Sequence, residues 1–169
     1  MRDGFELERS SFRDPSGQLF YKNGHLYRLI REKYSEHYQA LMNSGLYARL
    51  VDEGLLISHK EIDIDEILPL QNNAFKLIQP EIIPFISYPY EWCFSQLKDA
   101  ALITLKIQKI ALEYGMSLKD ASAYNIQFHM GKPILIDTLS FEKYEEGRPW
   151  VAYRQFCQHF LAPLALMSK

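Results

Sequence analysis

LKDASAYNIQFHMGKPILIDTLSFE, residues 118–142, sets the expectation for the whole chain. Asp120 is followed five positions later by Asn125, and twelve positions after that by Asp137. Between Asn125 and Asp137 lie two strand-like runs, 125–128 and 133–136, joined by a turn at 129–132. A hairpin of that size brings its ends together, so Asn125 and Asp137 become neighbours. An Asn amide oxygen beside an Asp carboxylate supplies the hard oxygen donors that magnesium takes, water and substrate phosphates completing the shell. Asp120, in the loop just before, is placed to accept a proton from a hydroxyl nucleophile. The same three residues also suit plain turn and strand-end roles, where Asp and Asn are common.

The segment resembles the catalytic region of the protein-kinase-like superfamily, which includes aminoglycoside and choline phosphotransferases. That family carries an Asp, four residues, then an Asn, and a metal-binding Asp after a hairpin. The resemblance implies Asp120 as catalytic base, and Asn125 and Asp137 as ligands of magnesium. Two departures bear on catalysis more than on fold: Leu118 stands where the family usually has His, and Thr138-Leu139-Ser140 follows Asp137 in place of Phe-Gly. A second resemblance covers most of the chain. SYPYEW (87–92), LKDASAYNIQF (118–128), IDTLSFE (136–142) and AYRQFCQHFLAPLALM (152–167) look like the N-terminal region of bacterial proteins described as SAM-dependent methyltransferases, some of them related to nodulation proteins. In that family a separate methyltransferase domain follows, and this chain stops before it.

Outward from this segment, the chain's 169 residues and 47% hydrophobic content fit one globular domain. A net charge of -2, with both signs interspersed, builds no field to gather nucleic acid or an anionic membrane. Two cysteines, Cys93 and Cys157, are too few for a disulfide framework and read as reduced thiols. The charged N-terminus lacks a signal peptide's apolar core, and no apolar run approaches the length of about 18 residues that a membrane span needs. A cytoplasmic protein is expected.

The first seventeen residues read as irregular, with Phe5 and Phe12 free to dock on the body. Asn23-Gly24 between two β-rich runs, 18–21 and 25–30, marks a hairpin. Apolar residues at helical spacing follow from Glu32 to Val51, interrupted at Asn43-Ser44-Gly45. Strands are expected over 55–62 and 75–78 around an acidic, solvated link. Pro80, Pro84 and Pro89 punctuate an extended crossing, and residues 92–114 form a largely buried helix closed by Gly115. After Pro149 a last helix runs until Pro163 breaks it. The expected architecture is α+β, a minimal kinase-like bilobal domain over 1–169. Its small β-containing lobe covers 1–86 and its truncated, mostly helical lobe 87–169, with a cleft between them and a hinge near 86–91.

In that frame Arg28 takes the place of the kinase lysine that holds nucleotide phosphates, with Glu32 or Glu36 as its ion-pair partner; an exposed strand arginine is the competing reading. Tyr88, Tyr90 and Glu91 lie at the hinge, where kinases recognise adenine. Lys119 is placed to touch a transferred phosphate, or is simply solvated. The eight glycines are scattered singly, so there is neither a phosphate-cradling loop nor a dinucleotide fingerprint. S-adenosylmethionine therefore has no site of the usual kind in this chain. Cys157 and His159 diverge on a helix and make no nucleophile pair. His129 reads as solvent-facing, and Trp92 and Trp150 as packing anchors. The functional expectation is a nucleotide- and magnesium-binding module, taking ATP. Two alternatives stay open: a non-catalytic scaffold regulating a downstream methyltransferase domain, and a phosphotransferase acting on a small-molecule hydroxyl. The apolar FLAPLALM end is a further candidate docking surface for a homodimer.

Overall fold

The structure is a computed structural model that describes residues 5–8, 14–64 and 73–169. Phe12 and most of the acidic link lie outside the described residues. The chain divides into two compact units, Met1–Gln39 with Ser58–Ile82, and Ala40–Ile57 with Ile83–Lys169. The architecture is α+β, as the sequence pattern implies.

The first unit is built on an antiparallel sheet in the order β1-β2-β3-β5-β4. Its strands are β1 (Phe5–Leu7), β2 (Gly17–Lys22), β3 (His25–Arg31), β4 (His59–Ile62) and β5 (Ala74–Pro80). Asn23 and Gly24 both take positive φ, 51° and 80°, and Lys22 pairs with His25 across them. That is the two-residue turn whose twist matches the flanking strands. Phe20 faces Tyr27 across the hairpin with stacked rings 5.6 Å apart, and together with Leu29 and Leu77 they form a core of their own. β1 corrects the expectation of an irregular N-terminus: Phe5–Leu7 pairs with Phe20–Lys22. A three-residue strand carries too short a pattern to stand out in a polar stretch.

α1 (Ser35–Asn43) follows β3 through a short 3-10 turn. Tyr38 on it is buried, and its hydroxyl donates to Glu61 Oε1 at 2.9 Å. A phenol has one proton, so the 3.0 Å contact between its oxygen and His59 Nε2 is donated by the imidazole. Lys76 holds the other oxygen of Glu61 at 2.9 Å. Burial pushes the His59 imidazole down from 6.5 to about 4, against the opposing pull of Glu61. Above pH 6.5 the ring is neutral in both folded and unfolded chains. Between pH 6.5 and about 4 the unfolded chain binds the extra proton, so stability falls as pH falls. Allowing for solvent access to the ring, the loss is roughly 2 kcal/mol by pH 4.5. Urea unfolding of wild type and His59→Gln at pH 7 and pH 4.5 is expected to show this loss in the wild type alone.

The second unit opens with residues 40–57, which the sequence-based division at residue 86 assigns to the small lobe. The reason for the difference is packing. The end of α1, α2 (Leu46–Asp52) and the turn after it place Leu41, Leu46, Leu50 and Leu56 in one core with Trp92 and Leu97. The apolar run 55–62 is likewise divided rather than one strand. Ile57 N donates to Leu135 O, and Leu135 N to Leu55 O, each at 2.9 Å, while β4 starts only at His59.

α3 (Phe94–Glu113) is the long buried helix, and Gly115 follows it with φ 70°. Two two-stranded ladders follow: β6 (Met116–Leu118) with β9 (Phe141–Lys143), and β7 (Ile126–His129) with β8 (Lys132–Leu135). The β7–β8 turn is Met130-Gly131, both at positive φ, 50° and 77°. Methionine is strained there and is 89% exposed, so Met130→Asn is expected to stabilise the hairpin by about 0.5–1 kcal/mol in urea unfolding.

The chain closes with α4 (Tyr153–Phe156), a π-helical turn over Cys157–Leu161, and α5 (Ala162–Met167). Pro163 therefore does not break this helix. The wider π turn just before it takes up the missing N–H and the ring's bulk. Leu161, Leu166 and Met167 are exposed on this end. Cys93 and Cys157 are free thiols. No helix among the described residues is long and apolar enough to cross a membrane.

Candidate functional site

The loop that carries Asp120 is held from two sides. On one, Ser140 O accepts from Lys119 N at 2.8 Å and from Asp120 N at 3.4 Å. On the other, the C-terminal helix reaches back: Gln155 Oε1 accepts from Ala121 N at 2.7 Å, and His159 Nδ1 accepts from Ala123 N at 3.2 Å. The His159 ring also lies edge-on to Tyr124, 6.1 Å between centroids. Asp120 Oδ1 accepts from Ser122 N at 2.9 Å, which turns the chain. Asp120, Asn125 and Asp137 are all half-buried.

The hairpin brings Asn125 and Asp137 together as its length implies. Ile136 N donates to Asn125 O at 2.8 Å, closing the open end of the ladder. Their side chains meet on a third group. Asn125 Nδ2 donates to Ser140 Oγ at 3.2 Å, and Ser140 Oγ donates to Asp137 Oδ2 at 3.2 Å. Asp137 Oδ1 accepts from Leu139 N at 2.9 Å, capping the 3-10 turn Thr138–Ser140. Asp120 joins the group through the Ser140 carbonyl rather than by its side chain.

Among the described residues no cluster of three or more His, Cys, Asp or Glu is arranged to cage a metal. The oxygen donors present are one amide and one carboxylate. That set fits magnesium, which keeps water and phosphate in most positions, and does not fit a transition-metal site of nitrogen and sulfur ligands. Leu118, two residues before Asp120, is buried; its N–H donates to Gln108 Oε1 and its carbonyl accepts from Trp150 Nε1, each at 2.7 Å.

Tyr88, Tyr90 and Glu91 belong to the same unit as the triplet. Glu91 Oε2 accepts from Tyr88 N at 2.7 Å, so this carboxylate closes the turn Pro89–Glu91. Tyr90 is 76% exposed and stacks on Tyr88, centroids 5.4 Å apart. The segment is pinned by buried Gln127, whose Oε1 accepts from Ser87 N and whose Nε2 donates to Ser87 O, both at 3.0 Å. Trp92 Nε1 donates to Ser87 Oγ at 2.9 Å, fastening it again.

Arg28 is in the first unit, on β3, and is buried rather than exposed. Its Nη2 is 2.5 Å from Asp14 Oδ2, so Asp14 is a carboxylate partner that the sequence reading does not include. A cavity of about 220 Å³, lined by Gln108, Ser117, Arg148 and Trp150 among others, lies elsewhere in the second unit and takes in no residue of the triplet.

The sequence does not reveal the contacts of Ser140, Gln155 and Gln127, and His159 is read from it only as a candidate partner of Cys157. Gln155 and His159 sit four apart, on one helical face, and that spacing was a signal that they act together. Nothing in the sequence says which loop that face meets.

No family model matches the chain. It is 37% identical, over 158 residues and 94% of its own length, to the nodulation protein NoeA of Rhizobium meliloti (strain 1021). The chain spans 33% of that protein's length. This supports the nodulation-related part of the resemblance. The kinase-like and methyltransferase parts rest on the residues alone.

Proposed function

We propose that the second unit is a kinase-like module that binds a nucleoside triphosphate with magnesium, within a protein related to the longer nodulation protein. The observation that carries the reading is the Asn125–Ser140–Asp137 chain, which gathers an amide and a carboxylate around one hydroxyl beside the Asp120 loop. The order of elements supports it: hairpin, helix, two strands, extended crossing, buried helix, loop, hairpin.

In this reading Asn125 and Asp137 would hold the cation, which would supply charge neutralisation for the phosphates. Asp120 orients an acceptor hydroxyl and takes its proton on the carboxylate. Tyr90, with its exposed ring, would pack against the adenine of a bound nucleotide, and the backbone near Glu91 would offer it hydrogen bonds. Arg28 is left out, because Asp14 already engages it. ATP is the nucleotide, and methyl transfer belongs to a segment outside this chain.

A scaffold role is the second reading, and one observation favours it. Both oxygens of Asp137 and one of Asp120 accept hydrogen bonds from their own loops, which a purely structural turn also needs. Thermal unfolding with ATP and magnesium separates the two. Ligand at about 100 times its dissociation constant adds roughly 2.7 kcal/mol, a rise of several degrees. A rise supports the nucleotide module, and no rise at millimolar ATP and magnesium leaves the scaffold.

A further inference from the structure

We infer that Ser140 is a positioning residue for the Asn125 and Asp137 oxygens, its hydroxyl setting which end of the Asn125 amide faces a cation. The inference rests on the metal reading of the triplet and adds a residue to it.

Ser140 is fully buried, at 0% exposure. Its backbone already does the structural work: its N–H donates to Asp137 O at 3.2 Å, and its carbonyl accepts from Lys119 and Asp120. Any residue but proline would supply those bonds. The turn is capped independently by Asp137 Oδ1 and Leu139 N. The hydroxyl is different, since its two partners are both members of the triplet.

A hydroxyl has one proton, and a carboxylate can only accept. The Ser140 proton therefore goes to Asp137 Oδ2, and the hydroxyl oxygen has only lone pairs to offer Asn125. The amide must answer with its Nδ2, which turns Oδ1 to the opposite side. Magnesium needs that oxygen, and an amide rotated by half a turn would present two N–H groups to it. Groups that orient a ligand in this way are typically worth 10- to 100-fold in metal affinity.

The test titrates magnesium at a fixed, saturating ATP concentration, following thermal stabilisation of the full chain. Wild type, Ser140→Ala and Ser140→Thr are compared, and ATP binding without metal is measured for each. In Ser140→Ala the magnesium concentration for half-maximal stabilisation is expected to rise about 10- to 100-fold, with metal-free ATP binding unchanged. Ser140→Thr, which keeps the hydroxyl, stays near the wild type. Should Ser140→Ala fail to fold, Ser140→Cys keeps the volume and substitutes a weak donor, and it carries the same expectation. An unshifted midpoint in the Ala or Cys variant overturns the role of Ser140 while leaving the site. Equal shifts in Ala and Thr overturn it too. A wild type that does not respond to magnesium removes the site and the role together.

Discussion

Phe141→Ala is expected to lower the stability of the second unit by about 4 kcal/mol, read as a drop in the urea midpoint with little change in slope. Phe141 is 0% exposed, begins β9 opposite Leu118 of β6, and belongs to the large core of that unit. Truncation removes a full ring and leaves a cavity among close-packed neighbours, which relax only in part. The residue next to it is Ser140, so the same change loosens the loop that carries Asp120. Phe85→Ala makes the control. Phe85 is 75% exposed, and its removal is expected to stay within about 0.5 kcal/mol. Equal effects at the two positions would contradict this account of the core.

Asp137→Asn is expected to abolish magnesium-dependent stabilisation by ATP, about 2.7 kcal/mol at 100 times the dissociation constant. The substitution is nearly isosteric, and the Asn oxygen can still accept from Leu139 N, so the cap survives. Stability without ligand is expected to fall by no more than about 1 kcal/mol. What disappears is the single negative charge of the oxygen pair, and magnesium draws most of its binding from such charge. The contrast between a small loss without ligand and a complete loss of the ligand effect is the informative result. If the wild type responds to ATP and magnesium and the variant responds equally, the cation lies elsewhere.

Local signals in the sequence were enough for the elements whose pattern is contained within themselves. Asn23-Gly24 announces its hairpin because both residues tolerate positive φ, and the break at Asn43-Ser44-Gly45 divides two helices because Gly45 does the same at φ 84°. The spacing from Asn125 to Asp137 was readable for a similar reason, since hairpin length fixes which ends meet. β6 and β9 were not, because each has three residues and their partnership spans more than twenty positions. The run 55–62 shows the same limit: its apolar character says strand, but two different partners divide it between units.

The site was legible only in its ligand candidates. Asp120, Asn125 and Asp137 stand out by type and spacing, whereas Ser140 looks like any small residue after a turn. Its place between two side chains is set by the β7–β8 hairpin and the β6–β9 ladder together. Gln155 and His159 belong to the same class. They hold the Asp120 loop from a helix more than thirty residues away, and only tertiary packing selects that loop. The π turn over Cys157–Leu161 carries His159, whereas proline rules alone end the helix at Pro163, which the structure passes through.

The most direct test of the central claim replaces magnesium with paramagnetic manganese in the presence of ATP and follows backbone and side-chain amide resonances. Manganese takes the same oxygen donors and broadens signals from nearby nuclei. The account predicts that broadening concentrates on residues 120–127 and 136–140, with the Asn125 side-chain amide among the first to vanish. Broadening centred on another part of the chain, or none while ATP and manganese are present in excess, would contradict it.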